Sequence, residues 1–512
     1  MTTIEIFRGS GYLTTIKPED NSVQVKKIMG ENELRISFKL NLYIDFLVND
    51  FCTVFGERYQ LNQPPTVKKV ASTLYEYDMV MESEASNLAK VQYLFLGDDN
   101  TLKEADFSLM GNAETFLDLL IQNANRVGSG WIKGQVISTI YKNLTFSAEN
   151  CYNVLGRLSE EFETEFWVDG KTIHVTRRQR DKGYVFQHGR NKGLYDITRQ
   201  NVDSSNIVTR LYAFGSDKNI PSDYRNYSKR LKMDVDYIEE NTQQYGIIES
   251  TQIFDDIYPH RTGTVTSVNA TDSKKFIDTT LDFDINDQLL AGISAKVVFN
   301  TGQLSGYTLE ISKFDNSTKE FTLLKNKDER TLEIPNDDIR PAIGDQYVLV
   351  DIKMPDSYIT AAEQQLKAKA YEVLALNSGP QLSYKLSVDP VFMKKKGYSL
   401  SIGDLVWLKD DELNVRRRIR VTSCERNIID ENRYNIEIAD AVQVGTIAKL
   451  MTTQSNTGRD VNDLGRSVQN NAILNGNVIG TLKFDSIPVT STTTGFSQIY
   501  IEDSTGKLYK KI

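Results

Sequence analysis

Cysteine and histidine are nearly absent from this 512-residue chain, with three of each. Cys52, Cys151 and Cys424 lie far apart, and an odd, scattered set is not a disulfide framework. It suits synthesis in a reducing cytosol. His174, His188 and His260 include no pair at metal-ligand spacing, and no HExxH, CxxC or CxxH occurs, which removes zinc chemistry by motif. A basic surplus is lacking as well: 60 Lys and Arg against 69 Asp and Glu give −9, the wrong sign for a chain that coats nucleic acid. No apolar run approaches the ~20 residues of a membrane span. Met1 to Ser10 has neither a basic n-region nor an apolar h-region, so no export or anchor signal is expected. Proline is low at 11, whereas 25 Tyr and 22 Phe are many, a balance that favours strands.

Alternation is clearest near the start. Leu34, Ile36, Phe38, Leu40 and Leu42 share one face against Glu33, Arg35, Ser37, Lys39 and Asn41, the period of a half-buried strand. Thr73, Tyr75, Tyr77, Met79 and Met81 repeat it, and Phe55 to Tyr59 reads as a hairpin before Pro64-Pro65. Residues 1–105 are therefore expected to form a β-barrel or sandwich. The period then changes. Asn112 is placed to cap a helix carrying Phe116, Leu117, Leu120, Ile121 and Ala124, ended near Gly128. A second helix after Ser147 sets Cys151, Val154, Leu155, Leu158 and Phe162 on one stripe. Phe166 to Val175, turning at Asp169-Gly170, reads as a hairpin.

Asn206 to Phe214 predicts a central strand and 215–245 a long polar loop. Short strands at 264–268, 296–299, 307–311, 321–324 and 347–350 predict a small all-β domain set into something larger. Ile359 to Asn377 predicts a helix with Thr360 and Glu363 as a capping box, a stripe of Ala362, Leu366, Ala370 and Val373, and a stop at Gly379-Pro380. Strands follow at 382–388, 405–408, 419–424 and 434–438. Residues 451–480 turn to Asn, Thr, Ser and Gly, with Val461, Leu464 and Val468 hinting at a short stalk, and a hairpin closes at 499–509.

Chemistry by motif is absent. His174 stands between Ile173 and Val175, so period two turns it to the opposite, solvated face; His188 and His260 lie in loop-like sequence. Cys151, on its helical stripe, reads as a packed thiol rather than a nucleophile. Gly128-Ser-Gly130 and Gly302…Gly306 lack the order of a phosphate loop. Glu160-Glu161 and Asp410-Asp411 read as solvated acids. Two basic clusters stand out: Arg177-Arg178-Gln-Arg180 and Arg416-Arg417-Arg418-Ile-Arg420. In the second, alternation puts Arg416, Arg418 and Arg420 on one face. That face is either a solvated strand paired with Glu412 or Glu437, or a basic stripe toward an acidic partner subunit or passing DNA.

The order of four stretches resembles the tail-hub family of bacteriophages, the baseplate-hub and tail-tip proteins that include prophage tail endopeptidases and the N-terminal regions of tail-associated lysins. The stretches are Phe55-Gly-Glu-Arg-Tyr59 with Pro64-Pro65, Asn206 to Gly215, Gly344-Asp345 through Met354-Pro355 to Tyr358, and Ile402-Gly403-Asp404 with Arg418 to Ser423. Together they span about 30 to 445. The resemblance implies a mainly β, multidomain chain with two tube-like β-barrel domains, an α/β domain and an inserted small β-barrel. The expected division is 1–105 as a hub barrel completed by 195–258, 106–194 as the α/β module, 259–349 as the insert, 350–447 as the second hub domain, and 448–512 as a stalk-like linker and β tail.

It further implies a structural virion protein: a homotrimeric hub at the distal tail tip. Such a hub adapts the hexameric tail tube and distal tail protein to threefold tip structures and closes the DNA channel until ejection into the host cell. Its partners would be the distal tail protein, the tape measure protein and receptor-binding or tip-fibre proteins. DNA would pass without sequence-specific binding, and the chain would be made in the host cytoplasm. No catalytic, cofactor or metal residue is assigned: the lytic members carry a peptidase or glycosidase domain after the hub, whereas about 65 residues follow position 447 here, with no His or Cys. The alternatives are a glycan-binding tail protein and a tail-associated cell-wall hydrolase working with carboxylates alone.

Overall fold

A computed structural model describes residues 3–97, 103–203, 207–327, 333–379, 381–439, 499–502 and 507–510. The chain forms two units, 1–448 and 449–512. In the second unit, Ile499–Glu502 and Lys507–Lys510 pair antiparallel. The stalk expected around Val461 to Val468 lies outside the described residues.

Eight strands open the larger unit: β1 (Ile4–Arg8), β2 (Gly11–Ile16), β3 (Val23–Lys27), β4 (Asn32–Leu40), β5 (Phe51–Val54), β6 (Glu57–Leu61), β7 (Thr66–Ala71) and β8 (Leu74–Ser83). They run in the order β2-β1-β5-β6-β8-β4-β3, with β7 also on β8. Leu34, Ile36, Phe38, Tyr77, Met79 and Met81 all point into the core, as their alternation predicts. Leu42 does not: it lies beyond the strand's end and is 74% exposed. The β5–β6 turn places Phe55 and Gly56 at φ 53° and 80°, the paired left-handed residues of a tight type I′ hairpin.

The α/β module follows. Helix α1 (Ala113–Val127) is capped by Asn112, whose side chain accepts from Thr115 N, and stops at Gly128. Helix α2 (Cys151–Glu161), capped by Asn150, buries Cys151, Val154, Leu155 and Leu158. The predicted hairpin is Phe166–Asp169 against Thr172–Val175.

The chain then runs through β9 (Arg180–His188), β10 (Gly193–Asp203), and a three-stranded sheet of β11 (Arg210–Gly215) between β12 (Ile238–Glu239) and β13 (Glu249–Phe254). An inserted β domain follows, with strands at Thr262–Thr264, Ser267–Val268, Lys275–Ile277, Lys296–Phe299, Thr308–Asp315, Glu320–Leu323 and Gln346–Val350 in one sheet. Residues 265–266 alone separate the two terminal strands of that sheet, so it curls round the Phe276, Phe299, Phe321 and Tyr347 core. The last elements are α3 (Asp356–Asn377), β14 (Gln381–Val388), α4 (Pro390–Lys396), β15 (Asp404–Asp410), β16 (Val415–Asn427) and β17 (Tyr434–Ala439).

These close a second barrel of six strands: β16-β15-β9-β10-β14-β17 and back to β16. The strand pairing corrects the expected division here. Residues 193–203 do not complete the first barrel; they pair with β9 and β14 in the second. The cause is the 13-residue β16, whose 415–420 half pairs with β15 while 423–427 pairs with β3. One strand thus serves both barrels.

The sheet of β11 to β13 packs instead against α3, joining Leu211 and Ala213 to Ile359, Ala362, Leu366, Ala370 and Leu374. Helix α3 starts at Asp356 after Pro355, so the Thr360/Glu363 capping box does not form. Glu363 lies two turns in and binds Arg225 and Tyr224 at 2.7 Å each.

Candidate interaction surfaces

The arginines of β16 alternate as predicted, with Val415 and Ile419 buried in the barrel and Arg416, Arg418 and Arg420 facing outward. Their partners are neither Glu412 nor Glu437. Arg420 is 3% exposed and clasps Glu165 of the α/β module through two bonds of 2.5 and 2.8 Å. Arg418 binds Asp181 of β9 at 2.7 Å. Both acids lie more than 200 residues away in sequence, beyond the reach of local pattern. Arg416 is exposed and stands directly opposite Lys409 in the β15–β16 register. Trp407, opposite Arg418 in the same register, turns outward beside them, with the Arg418 guanidinium 5.6 Å and the Lys409 ammonium 5.7 Å from its ring centre.

Two arginines of the other basic cluster, Arg178 and Arg180, are spent on structure, while Arg177 is exposed. Arg180 binds Asp404 at 3.0 Å. Arg178 lies 4.6 Å over the ring of Trp167, whose other neighbour is His174, stacked at 3.5 Å and 5°. His174 faces away from buried Ile173 and Val175 and is half-buried rather than fully solvated. Its Nδ1 accepts from Gln135 N at 2.8 Å, and burial, with Arg178 nearby, lowers its pKa against the pull of Asp169. Gly134 is required beside it, since a Cβ there would collide with the imidazole. His188 and His260 bond the backbone carbonyls of Tyr195 and Tyr258 at 3.0 and 2.7 Å. Burial pushes the Cys151 thiol up to about 12, far from a thiolate at neutral pH.

Among the described residues no group of three or more His, Cys, Asp or Glu could hold a metal ion, and no helix is long and apolar enough to cross a membrane. A groove of about 540 Å³ beside α1 is lined by Phe95, Leu109, Asp118 and Leu119. Its carboxylate is held by Lys133 at 2.9 Å.

Two surfaces stand out among the described residues. The first is the outward Trp407, Lys409 and Arg416 cluster. The second is the face of β11 to β13 opposite α3. There Arg210 is neutralised twice, by Glu239 at 2.6 Å and Glu249 at 2.9 Å, and covers Tyr237 at 4.3 Å. Ile247 and Ile253 stand 60% and 47% exposed, and β13 pairs, among the described residues, only with β11. Sequence alternation picked out Arg416 of the first surface but not Trp407 or Lys409 beside it; the second needed the packing of α3 to show which face is left over.

No family model and no curated protein matches the chain. Among solved structures it is similar to prophage tail protein gp18 from Listeria monocytogenes, at 11% identity and a TM-score of 0.45, over 89% of this chain and 98% of that one. It is similar to the 43 kDa tail protein of prophage MuSo2 from Shewanella oneidensis, at 7% and 0.46, over 86% and 98%. A tail protein from Neisseria meningitidis matches at 8% and 0.44, over 86% and 96%. These three solved structures are phage tail proteins; the chain's own strands and sheets make it a β-rich multidomain protein, as expected.

Proposed function

We propose that the chain is a structural protein of a phage tail, the hub at its distal tip, assembled as a homotrimer. Three copies would set six barrels round a channel, matching the sixfold tail tube and distal tail protein on one side and threefold tip structures on the other. The hub would hold the DNA channel shut until ejection, with the tape measure protein inside and tip fibres below. The observation that carries the reading is the joining of two barrels through the single strand β16: a rigid two-barrel unit is what turns threefold into sixfold symmetry. The side-chain chemistry supports a role in contact rather than catalysis, because its histidines and its Cys151 are spent on stacking, backbone bonds and packing. Class averages of the purified chain by negative-stain electron microscopy test it. Rings with three copies and six evenly spaced densities are expected; particles without threefold symmetry at any concentration contradict it.

A further inference from the structure

Three arginines around the entry to β9 each meet an acid: Arg180 meets Asp404, Arg418 meets Asp181 and Arg420 meets Glu165. Arg178 sits among them, its carbonyl accepting from Arg420 Nη1 at 3.2 Å, and has no such partner. Among the described residues its guanidinium makes no hydrogen bond and no ion pair. Its contact with the Trp167 ring leaves the five N–H donors unused. The acids whose charge reaches it are Asp169, Asp404 and Glu57. Asp404 is engaged by Arg180, and Glu57 by Lys26 and Tyr59. Asp169 is exposed and forms no ion pair among the described residues.

Arg178 is nonetheless half-buried, and burial lowers its pKa. A guanidinium taken out of water is costly unless acceptors meet it. Two more donors at the same junction go unanswered: Trp167 Nε1 and Arg420 Nε are buried and bond nothing among the described residues. Buried N–H groups are rarely left so, and the junction is therefore short of acceptors. The Arg178 side chain is also held in place. Gly403, at φ 80°, lies against its stem, where a Cβ would collide, and the indole lies under its guanidinium. A planar fork fixed in this way matches a carboxylate through two parallel bonds, the ligand its three neighbours already have. We infer that Arg178 is a docking point for a carboxylate from outside the chain, an Asp or Glu side chain of a neighbouring tail protein. The inference rests on the tail reading for the neighbour but not for the site, which a free carboxylate tests alone.

The experiment follows the tryptophan emission of full-length Trp131→Phe/Trp407→Phe, in which Trp167 is the single reporter. Sodium acetate replaces sodium chloride at constant ionic strength, and inorganic phosphate is the second titrant. Circular dichroism checks that each variant is folded, and calorimetry on the wild-type chain reads the same midpoint. A saturable change with acetate is expected. Arg178→Gln should raise its midpoint at least about tenfold, whereas Arg177→Gln, at an exposed neighbour, should not. Should Arg178→Gln lose its fold, Arg178→Lys keeps the charge over the indole without the fork and should show the same weakening. No saturable change with acetate overturns the inference. So does equal weakening by Arg177→Gln, which would mean diffuse attraction to a basic surface. A change with phosphate alone overturns it too, and would make a phosphoryl group the ligand. Acetate binding that appears only after Asp169→Asn would make Asp169 the acceptor and leave no place for a partner. None of these outcomes bears on the hub reading, which the mass of the assembly tests.

Discussion

The second barrel has ladder pairing between every neighbouring pair of its six strands, shortest at β9–β10 with the two pairs Gln187↔Gly193 and His188↔Leu194. The first is stitched at β1 to β5 by one residue pair, Phe7↔Phe51, and at its other seam by the isolated bridge Pro18↔Phe38. Rings fill the place of the missing hydrogen bonds. Phe38 stacks on Tyr77 at 4.9 Å and 1°, and Phe46 meets both edge-on at 5.8 and 5.4 Å. The second barrel is instead buttressed from outside, by the Glu165–Arg420 clasp to the α/β module and by the Arg178–Trp167–His174 stack at the entry to β9. Where a ladder runs out, packing must hold the seam; where it is complete, side chains are free to join domains.

Phe38→Ala should break that comparison most sharply. Removing the ring at the weakly laddered seam should cost about 4 kcal/mol, measured by urea unfolding; a loss below about 1 kcal/mol would mean that the ladder holds the first barrel after all. Glu165→Gln comes next. It leaves the buried Arg420 charge without a carboxylate and should cost about 3 kcal/mol. The loss should largely vanish in the double variant Glu165→Leu/Arg420→Met, since an apolar pair of similar volume is tolerated where a broken ion pair is not.

Gly134→Ala should cost about 2 kcal/mol by forcing the His174 ring off Trp167, visible as a changed near-ultraviolet Trp signal with unchanged far-ultraviolet signal. The smallest effect is that of pH on the same stack. The folded pKa of His174 is lowered by burial, so the unfolded chain binds its proton more readily. The stack's stability is fully present above the unfolded value near 6.5 and is lost as pH falls through the folded value. The melting temperature of His174→Gln should therefore fall less than that of wild type between about pH 7.5 and about pH 5; equal slopes would remove His174 from the account.

Local elements were legible in the sequence because their causes are local. The period of Leu34, Ile36 and Phe38, the Asn112 cap and the Cys151 stripe each depend on neighbours within a few residues. Leu42 was misread because alternation carries no mark of where a strand ends. Glu363 was misread because a capping pattern cannot show that Pro355 and Asp356 start the helix first. The assignment of 195–258 to the first barrel failed for a larger reason. Leu194 pairs with Val388 and Arg199 with Tyr384, and nothing local specifies which distant strand fills an open edge. The same distance hid the partners of Arg418 and Arg420: the stripe could be read from β16 alone, the acids that neutralise it could not.

The most direct measurement of the central claim is the mass of the purified chain in solution by light scattering across micromolar concentrations. The hub account predicts about 174 kDa, three times the 58.1 kDa chain. A mass that stays at 58.1 kDa on concentration and on mixing with tail tube and distal tail protein would contradict it.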